Sequence, residues 1–335
     1  ERVKDFAVRA GTILLGASIV IWFLRSFSFA GGFHMLTADQ AGEKIDTLLR
    51  RELRLSGTVI RRVKWLDDGI LLDGMRVTTA CRPAAGQVLS VRVADPDGQG
   101  DMVPTPGPLD IVYEDGDLLV LNKAPGVLIH PGPGHYSDTL CNYIAWYYKK
   151  AGIAADVHPV QRLDKGTSGL LVVAKDDATH IGLSQQMAVH SVERAYNTIV
   201  YGGFAQDEGF VESNLGRSKT DRKKMAVYPA GEPNTKYAYT GYKVLERLGE
   251  FTMLECRLKT GRTHQIRVHM ASIHHPVAGD PVYGPHNCIT SLHGQCLHAK
   301  TLGFVHPITG EYLRFDSDLP DYFTHFLATL RRKNP

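Results

Sequence analysis

The spacing of apolar and polar residues divides the chain into a small amino-terminal part and a larger remainder. Between residues 45 and 53, apolar side chains recur at the spacing of one helical face, and arginines occupy the opposite face. Two Asp-Gly turns, at residues 68–69 and 73–74, precede a stretch of alternating apolar and polar residues that ends near residue 93. Residues 35–95 are therefore predicted to form a small domain of short helices and a hairpin.

A segment rich in proline and glycine separates this small domain from the rest of the chain. Residues 96–109 carry few large apolar side chains, so we predict a linker there. Beyond it, strand-like segments joined by short turns alternate with helical segments. The predicted strands are 118–122, 169–174, 196–201, 240–244 and 252–258, and the predicted helices are 139–150, 177–190 and 264–272. Residues 110–335 are thus predicted to form an α+β domain with a mixed, mainly antiparallel sheet flanked by helices.

The charge balance limits how the chain could bind nucleic acid. A formal charge of +3 and a pI near 8.5 are only mildly basic, so any such affinity must come from clustered cations. Two clusters are present, at Arg50, Arg51, Arg54, Arg61, Arg62 and Lys64, and at Arg217, Lys219, Arg222, Lys223 and Lys224. Similar charge runs occur on ordinary solvated surfaces, so both interpretations stay open from charge alone.

Cysteine usage and the known cofactor motifs exclude several function classes. The five cysteines are widely spaced and include no C-x-x-C pair, which argues against a disulfide framework and against a zinc ribbon. The chain also lacks G-x-G-x-x-G and G-x-x-x-x-G-K-[ST], the glycine-rich loops that hold nucleotides. We therefore expect a reducing, cytoplasmic environment and no cofactor.

The most informative segment is the loop that leads into the predicted strand at 169–174. It reads Val160-Gln161-Arg162-Leu163-Asp164-Lys165-Gly166-Thr167-Ser168-Gly169. Cations flank Asp164, which favours the ionised carboxylate that a nucleophile or a base needs. The same residues would also suit a surface ion pair beside a turn, so the loop alone leaves both interpretations open.

A second polar segment, residues 258–269, runs from a predicted strand through a glycine turn into a predicted helix. Thr263 is expected to cap this helix. Arg267 lies four residues further on, on the same helical face, and is expected to point back toward the loop. His264 and His269 face different sides, and no cysteine or carboxylate completes a ligand set, so we predict no metal.

Together the two segments resemble the signatures of the RluA-type pseudouridine synthases, an Arg-Leu-Asp loop and a later Thr-Gly-Arg-Thr-His-Gln-Ile-Arg segment. The resemblance covers nearly all of residues 110–320, including the segments 193–196 and 279–284. It implies catalytic roles for Asp164, Tyr196 and Arg267. It also implies substrate contacts for Arg162, in the space left by a flipped base, and for Leu163, Thr167, Arg262, His264, Gln265 and Leu297.

The resemblance implies an enzyme that isomerises uridine to pseudouridine in structured RNA without metal or cofactor. Residues 35–95 resemble a small RNA-binding domain first described in a small-subunit ribosomal protein, so large-subunit ribosomal RNA is the expected substrate and transfer RNA the alternative. The competing function is a non-catalytic RNA-binding or ribosome-assembly protein on the same fold. We expect a monomer with no membrane partner. Whether Asp164 adds to the ribose or removes a proton stays open.

An uncharged apolar run from residue 10 to residue 24 precedes the small domain. It is shorter than the ~20 residues that span a bilayer as a helix, although it would suit the core of a signal peptide. A signal sequence, a membrane anchor and upstream sequence read in frame are the three interpretations. We favour the last, with Met35 as the natural start and residues 1–34 as an apolar leader upstream of it, because the rest of the chain resembles an intact cytoplasmic RNA enzyme.

Overall fold

The computed structural model describes residues 32–35, 41–51, 57, 60, 63–64, 69–91, 102–132, 134–221, 223–285, 289, 292 and 294–334. The chain divides into two compact units, one up to residue 98 and the other from residue 99 onward. This division falls inside the predicted linker, residues 96–109. The apolar run at residues 10–24 lies outside the described residues, and so do Arg54, Arg61 and Arg62 of the first basic cluster.

Among the described residues, the small unit contains a four-stranded antiparallel sheet and one helix. Its elements are β1 (Gly32–Met35), α1 (Ile45–Arg51), β2 (Ile70–Leu72), β3 (Met75–Arg76) and β4 (Val88–Val91). The strand order is β1-β4-β2-β3, and the apolar face of α1 and the inner residues of β2 and β4 are buried. β1 pairs with β4 along its whole length, so the predicted boundary between residues 34 and 35 falls within a strand.

The large unit is built on one sheet of eleven strands. These are β5 (Ile111–Glu114), β6 (Leu118–Lys123), β7 (His158–Pro159), β8 (Ser168–Ala174), β9 (Glu193–Tyr201), β10 (Glu208–Arg217), β11 (Met225–Tyr228), β12 (Lys236–Leu248), β13 (Phe251–Leu258), β14 (Leu297–Val305) and β15 (Tyr312–Asp316). The main order is β11-β10-β12-β13-β9-β14-β8-β6-β5, and β7 and β15 pair with β8 and β14. β14 and β8 run parallel, whereas the other neighbours are antiparallel. The predicted mixed, mainly antiparallel α+β fold is confirmed.

In the part of this unit that the structure describes, four helices flank the sheet, and their apolar faces contribute to its cores. They are α2 (Leu140–Ala151), α3 (Asp177–Ala188), α4 (Gln265–Ser272) and α5 (Asp321–Lys333). Residues of α2 and α4 share one core with β6, β8 and β9, while α3 packs in a second core and α5 in a third. All seven residues of β8 are buried, as expected for a strand covered on both faces. Among the described residues, none of the helices is long and apolar enough to cross a membrane.

The parallel pairing of β8 with β14 fixes the end of the Asp164 loop. Gly169 stands opposite Ala299 and has a φ angle of +109°, which only glycine adopts readily. A Cβ atom at this position would lie 2.3 Å from the carbonyl oxygen of Ala299. Glycine therefore allows the two backbones to approach closely, and residues 160–167 enter the sheet at a defined point.

Candidate active site

Three charged side chains from distant parts of the chain meet at the centre of the candidate site. Arg267 on α4 donates from Nη1 to Oδ2 of Asp164 at 2.9 Å. Its Nε and Nη2 groups donate to the two carboxylate oxygens of Asp280 at 2.6 and 2.8 Å. The Asp280 side chain is fully buried, whereas that of Asp164 is 24% exposed. The predicted contact between Arg267 and the loop is confirmed, so Asp164 does not belong to an ordinary surface pair.

The two carboxylates determine the charge state of Arg267. Burial disfavours the guanidinium, but hydrogen bonds and Coulombic attraction from Asp280 and Asp164 outweigh it, and the pKa of Arg267 rises above its usual value. The pair with Asp280 is bidentate, which fixes the plane of the guanidinium as well as its charge. Arg267 is therefore a permanent cation that presents one N–H group to Asp164.

The family resemblance includes the segment 279–284, but it implied no role for Asp280 or Tyr283. Oδ1 of Asp280 also accepts the backbone N–H groups of Val282 and Tyr283, at 2.8 and 3.1 Å. The Tyr283 ring lies 5.2 Å from the Arg267 guanidinium, within cation-π range. An acidic residue between glycine and proline was the available signal, but nothing in its spacing indicates that it meets α4.

His264 occupies the N-cap position of α4 and faces Asp164. Its φ angle of +57° is left-handed, which is uncommon for a residue with a side chain. Nδ1 lies 2.9 Å from the hydroxyl of Tyr283, and Nε2 lies 4.0 Å from Oδ1 of Asp164. Burial lowers the pKa of His264, and the negative charge of Asp164 partly opposes this shift.

The prediction that Thr263 caps the helix is wrong. The left-handed residue His264 is the N-cap, so the helix begins one residue later than expected, and no side chain caps it. The hydroxyl of Thr263 instead accepts a hydrogen bond from Nη2 of Arg162 at 3.2 Å. Thr263 therefore connects the two signature segments across the cleft.

Gln265 was predicted to contact substrate, but its amide is fully engaged inside the protein. Its oxygen accepts from the hydroxyl of Thr260 and the N–H group of Arg262. Its nitrogen donates to the carbonyl of Tyr239 and the hydroxyl of Thr240. We therefore assign Gln265 to holding the 258–265 segment against β12 rather than to direct recognition.

All ten predicted site residues line a single cleft of about 1250 Å³. Tyr196 on β9 is 7% exposed, and burial raises the pKa of its phenol. The positive charge of Arg194 opposes this shift, whereas the negative charge of Asp164 adds to it. Leu163 and Leu297 supply buried apolar surface beside it. A protonated tyrosine thus shares the cleft with the carboxylate of Asp164.

The cleft carries a strong excess of positive charge. Its cations are Arg162, Lys165, Arg194, Arg262 and Arg267. Asp164 is the one carboxylate among the described residues that line it. Such a surface favours a polyanionic ligand.

Lys123, at the end of β6, supports the Asp164 loop through hydrogen bonds and was not predicted from the sequence. It is 1% exposed, and its ammonium donates to the carbonyls of Ala124, Val127 and Lys165 at 2.8, 2.9 and 3.2 Å. Burial lowers the pKa of Lys123 to about 7, and Asp164 opposes this shift. The lysine thereby ties the carbonyl next to Asp164 to the end of β6.

Two buried histidines near the site predict a loss of stability in acid. Burial lowers the pKa of His269 and of His298 to about 4, well below the ~6.5 of an unfolded histidine. The unfolded chain therefore binds more protons as the pH falls from ~6.5 to ~4, and stability falls through that window. Each histidine should remove up to about 3 kcal/mol, measurable by urea denaturation across the window.

A histidine on the surface provides the control for this measurement. Replacing exposed His325 with glutamine should leave the pH dependence unchanged, whereas His269→Gln should reduce its slope. A free energy of unfolding that stays constant between pH ~6.5 and ~4 would contradict the prediction.

One group of potential metal ligands exists among the described residues, at Asp115, Asp117 and His306. Nδ1 of His306 accepts the N–H groups of Ile308 and Thr309, each at 3.2 Å. Its Nε2 atom must then carry the proton, which it donates to Asp115 at 3.1 Å. With both ring nitrogens engaged, the group acts as a hydrogen-bonded connection between chain segments.

Comparison with known proteins gives a consistent result. The family description "RNA pseudouridylate synthase" matches residues 117–272. The chain is 42% identical to the uncharacterized RNA pseudouridine synthase YlyB of Bacillus subtilis, over 88% of this chain and 96% of that protein. It is 46% identical to the ribosomal large subunit pseudouridine synthase D of Zymomonas mobilis, over 64% and 70%. The structure of human RNA pseudouridylate synthase domain containing 4 superposes with a TM-score of 0.54 at 26% identity, over 66% and 93%.

Proposed function

Since the chain belongs to the RNA pseudouridine synthase family, we propose that it converts a uridine of large-subunit ribosomal RNA to pseudouridine at the Asp164 cleft. The observation that carries the site assignment is the Asp164–Arg267 contact within a cation-lined cleft that also holds Tyr196. The choice of large-subunit RNA is supported by relatives named for that activity.

Asp164 is the group that acts on the ribose. Isomerisation breaks the bond from the sugar to the ring nitrogen, turns the base, and joins it again through a ring carbon. Asp164 either adds to the anomeric carbon or removes a neighbouring proton. Arg267, held by Asp280, orients the carboxylate in both routes.

Tyr196 acts on the detached base. Its ring offers a flat surface on which uracil can stack. Its phenol, protonated because burial raises its pKa, sits in the same cleft as the reacting carboxylate. Once uracil has joined through carbon, the phenol oxygen accepts the proton released by that carbon while its own O–H proton passes to solvent, so the tyrosine ends neutral.

Arg162 stabilises the RNA from which the target base has been removed. A base must leave its stack to reach Asp164, which costs a few kcal/mol. The exposed Arg162 side chain is steadied by Thr263 at the cleft wall. Its planar guanidinium fills the gap in the stack and offsets part of that cost.

The turn between β10 and β11 supplies contacts to RNA phosphates away from the cleft. Lys219 in this turn pairs with Glu232 at 2.7 Å, while Lys223 and Lys224 follow in the same turn. The N–H group of Met225 donates to the hydroxyl of Tyr283, which connects the basic turn to the site. Phosphate contacts of this kind position RNA without reading its sequence.

The small unit provides a second RNA surface in this proposal. The described arginines of α1 are partly neutralised, because Arg50 pairs with Asp46 at 2.8 Å and Arg51 with Glu43 at 2.9 Å. The contribution of α1 to RNA binding is therefore smaller than the sequence suggests. We further propose a cytoplasmic location, which the four free cysteines among the described residues support. We also propose that the protein is a monomer.

The direct test of the proposed function is to map pseudouridine in ribosomal and transfer RNA from cells with and without this protein. One or a few sites in large-subunit RNA should lose the modification and regain it when the protein is restored. Restoration by an Asp164→Asn variant would contradict the assigned site. Loss of modification in transfer RNA alone would replace the proposed substrate.

A further inference from the structure

Arg194 on β9 is a buried cation for which the described residues supply no carboxylate partner. It is 7% exposed, and its side chain lines the cleft. Its Nη2 group donates a long hydrogen bond, 3.5 Å, to the carbonyl of Lys259, and its Nε–H group has no acceptor. A guanidinium has five N–H donors, and one of them is engaged within the described part of the chain.

Arg194 differs in this respect from the other buried arginine of the cleft. Arg267 is buried to a similar degree and meets both Asp280 and Asp164. Removing a cation from water without a counter-charge is costly, and buried charges in proteins are normally paired. The position of Arg194 is therefore better explained by a binding role than by a structural one.

The surroundings of Arg194 favour a negatively charged ligand. A Cβ atom at Gly261 would lie 2.9 Å from Nη1 of Arg194, so glycine leaves the space beside the guanidinium free of a side chain. Arg262, the residue after Gly261, also lines the cleft. Its Nε group donates to the carbonyl of Tyr237 at 3.0 Å. Two arginines thus line the cleft, and the residue beside the guanidinium of Arg194 has no side chain.

We propose that Arg194 binds a non-bridging phosphate oxygen of the RNA strand at the target uridine or its immediate neighbour. The inference rests on the proposed function, and it adds the part of the substrate that this residue recognises. A planar fork of N–H donors matches two phosphate oxygens. Because Arg194 and Tyr196 are two positions apart on one strand, they point to the same face. The phosphate contact fixes the RNA backbone relative to the tyrosine ring.

An Arg194→Met variant separates this role from a structural one. Methionine fills similar space without charge, so thermal stability should be unchanged or higher, because an unpaired buried charge is removed. The Kd for substrate RNA should rise about 10- to 100-fold, the range for one charge-assisted hydrogen-bonding contact. The slope of log K against log salt should shrink by about one phosphate contact. Arg331→Gln, which removes the same charge from α5, should leave the Kd and the slope unchanged.

Neutral phosphates in the RNA identify the partner without depending on the variant. Methylphosphonate is placed at each position around the target uridine in turn, and the wild-type protein should lose about 10-fold or more in affinity at one position. Arg194→Met should bind that RNA no worse than it binds unmodified RNA. Arg194→Lys, which keeps the charge, should bind that RNA more weakly than unmodified RNA. Inorganic phosphate should compete weakly with RNA for the wild-type protein and less for Arg194→Met.

The outcomes distinguish this inference from the proposed function. If no methylphosphonate position weakens wild-type binding, or if Arg194→Met keeps the wild-type Kd and salt slope, Arg194 does not bind phosphate. Uridine isomerisation by the wild-type protein is unaffected by either result. If the wild-type protein forms no pseudouridine in any RNA, the proposed function fails first. If Arg194→Met loses much of its stability and its RNA affinity still falls on methylphosphonate substitution as far as that of the wild type, Arg194 has a structural role and the inference is overturned.

Discussion

Asp164→Asn is expected to abolish pseudouridine formation while RNA is still bound. Asparagine keeps the size of the side chain but can neither add to the ribose nor accept a proton from it. Single removals of an essential catalytic group reduce turnover by roughly 10⁴-fold or more. The fold should survive, because Arg267 keeps its bidentate bond to Asp280. Single-turnover conversion of a uridine-containing RNA fragment measures the loss, and filter binding measures the affinity.

RNA binding by the Asp164→Asn variant should be equal to or tighter than that of the wild type, since the substitution removes the one described carboxylate that lines the cleft. Asp207→Asn is the matched control. Asp207 is 77% exposed and pairs with Arg247 outside the cleft, so this variant should keep wild-type turnover. Turnover by Asp164→Asn within about 10-fold of the wild type would exclude the carboxylate from the chemistry.

Asp280→Asn is expected to reduce both stability and turnover. The substitution removes one partner of a buried ion pair, which typically costs about 3–5 kcal/mol. It also frees the guanidinium of Arg267 to rotate, so that Asp164 loses its defined orientation. A misplacement of this kind can lower kcat by about 100-fold. Urea denaturation and single-turnover kinetics measure the two effects separately.

An exposed ion pair provides the comparison for Asp280. Asp316 on β15 pairs with Lys300 on β14, and the Asp316 side chain is 47% exposed. Asp316→Asn should cost roughly 1 kcal/mol or less and leave kcat unchanged. If Asp280→Asn behaved in the same way, the bidentate pair would not be what orients Arg267.

The helices and inner strands of the large unit could be predicted because their apolar patterns are unbroken. The predicted helix at 139–150 is observed at 140–151, and the predicted strand at 169–174 is observed at 168–174. β10 was missed because both of its faces carry polar or half-exposed residues. β14 was missed because polar His298 lies inside a buried strand. There its ring bonds to Ser168 and Ser317, a compensation that no local pattern shows.

The resemblance brought together the residues that contact substrate, but not the residues that support them. Asp164 and Arg267 lie in recognisable motifs, so their meeting was anticipated. That Asp280 holds the far side of Arg267 depends on how the chain returns after α4, and sequence spacing does not reveal it. The isolation of Arg194 is equally invisible in sequence, since a cation is unpaired only relative to its neighbours in three dimensions.

The position of β14 in the sheet has a consequence for synthesis of the protein. β14 is the last strand but one in the chain, yet it lies between β8 and β9. β8 follows the loop of Asp164, and β9 carries Tyr196. A nascent chain that ends before residue 297 can form hairpins on either side, but no strand yet pairs with both β8 and β9, and this long-range pairing is completed late. A chain released after residue 267 but before residue 297 therefore carries Asp164, Tyr196 and Arg267 but lacks the strand that pairs with both β8 and β9.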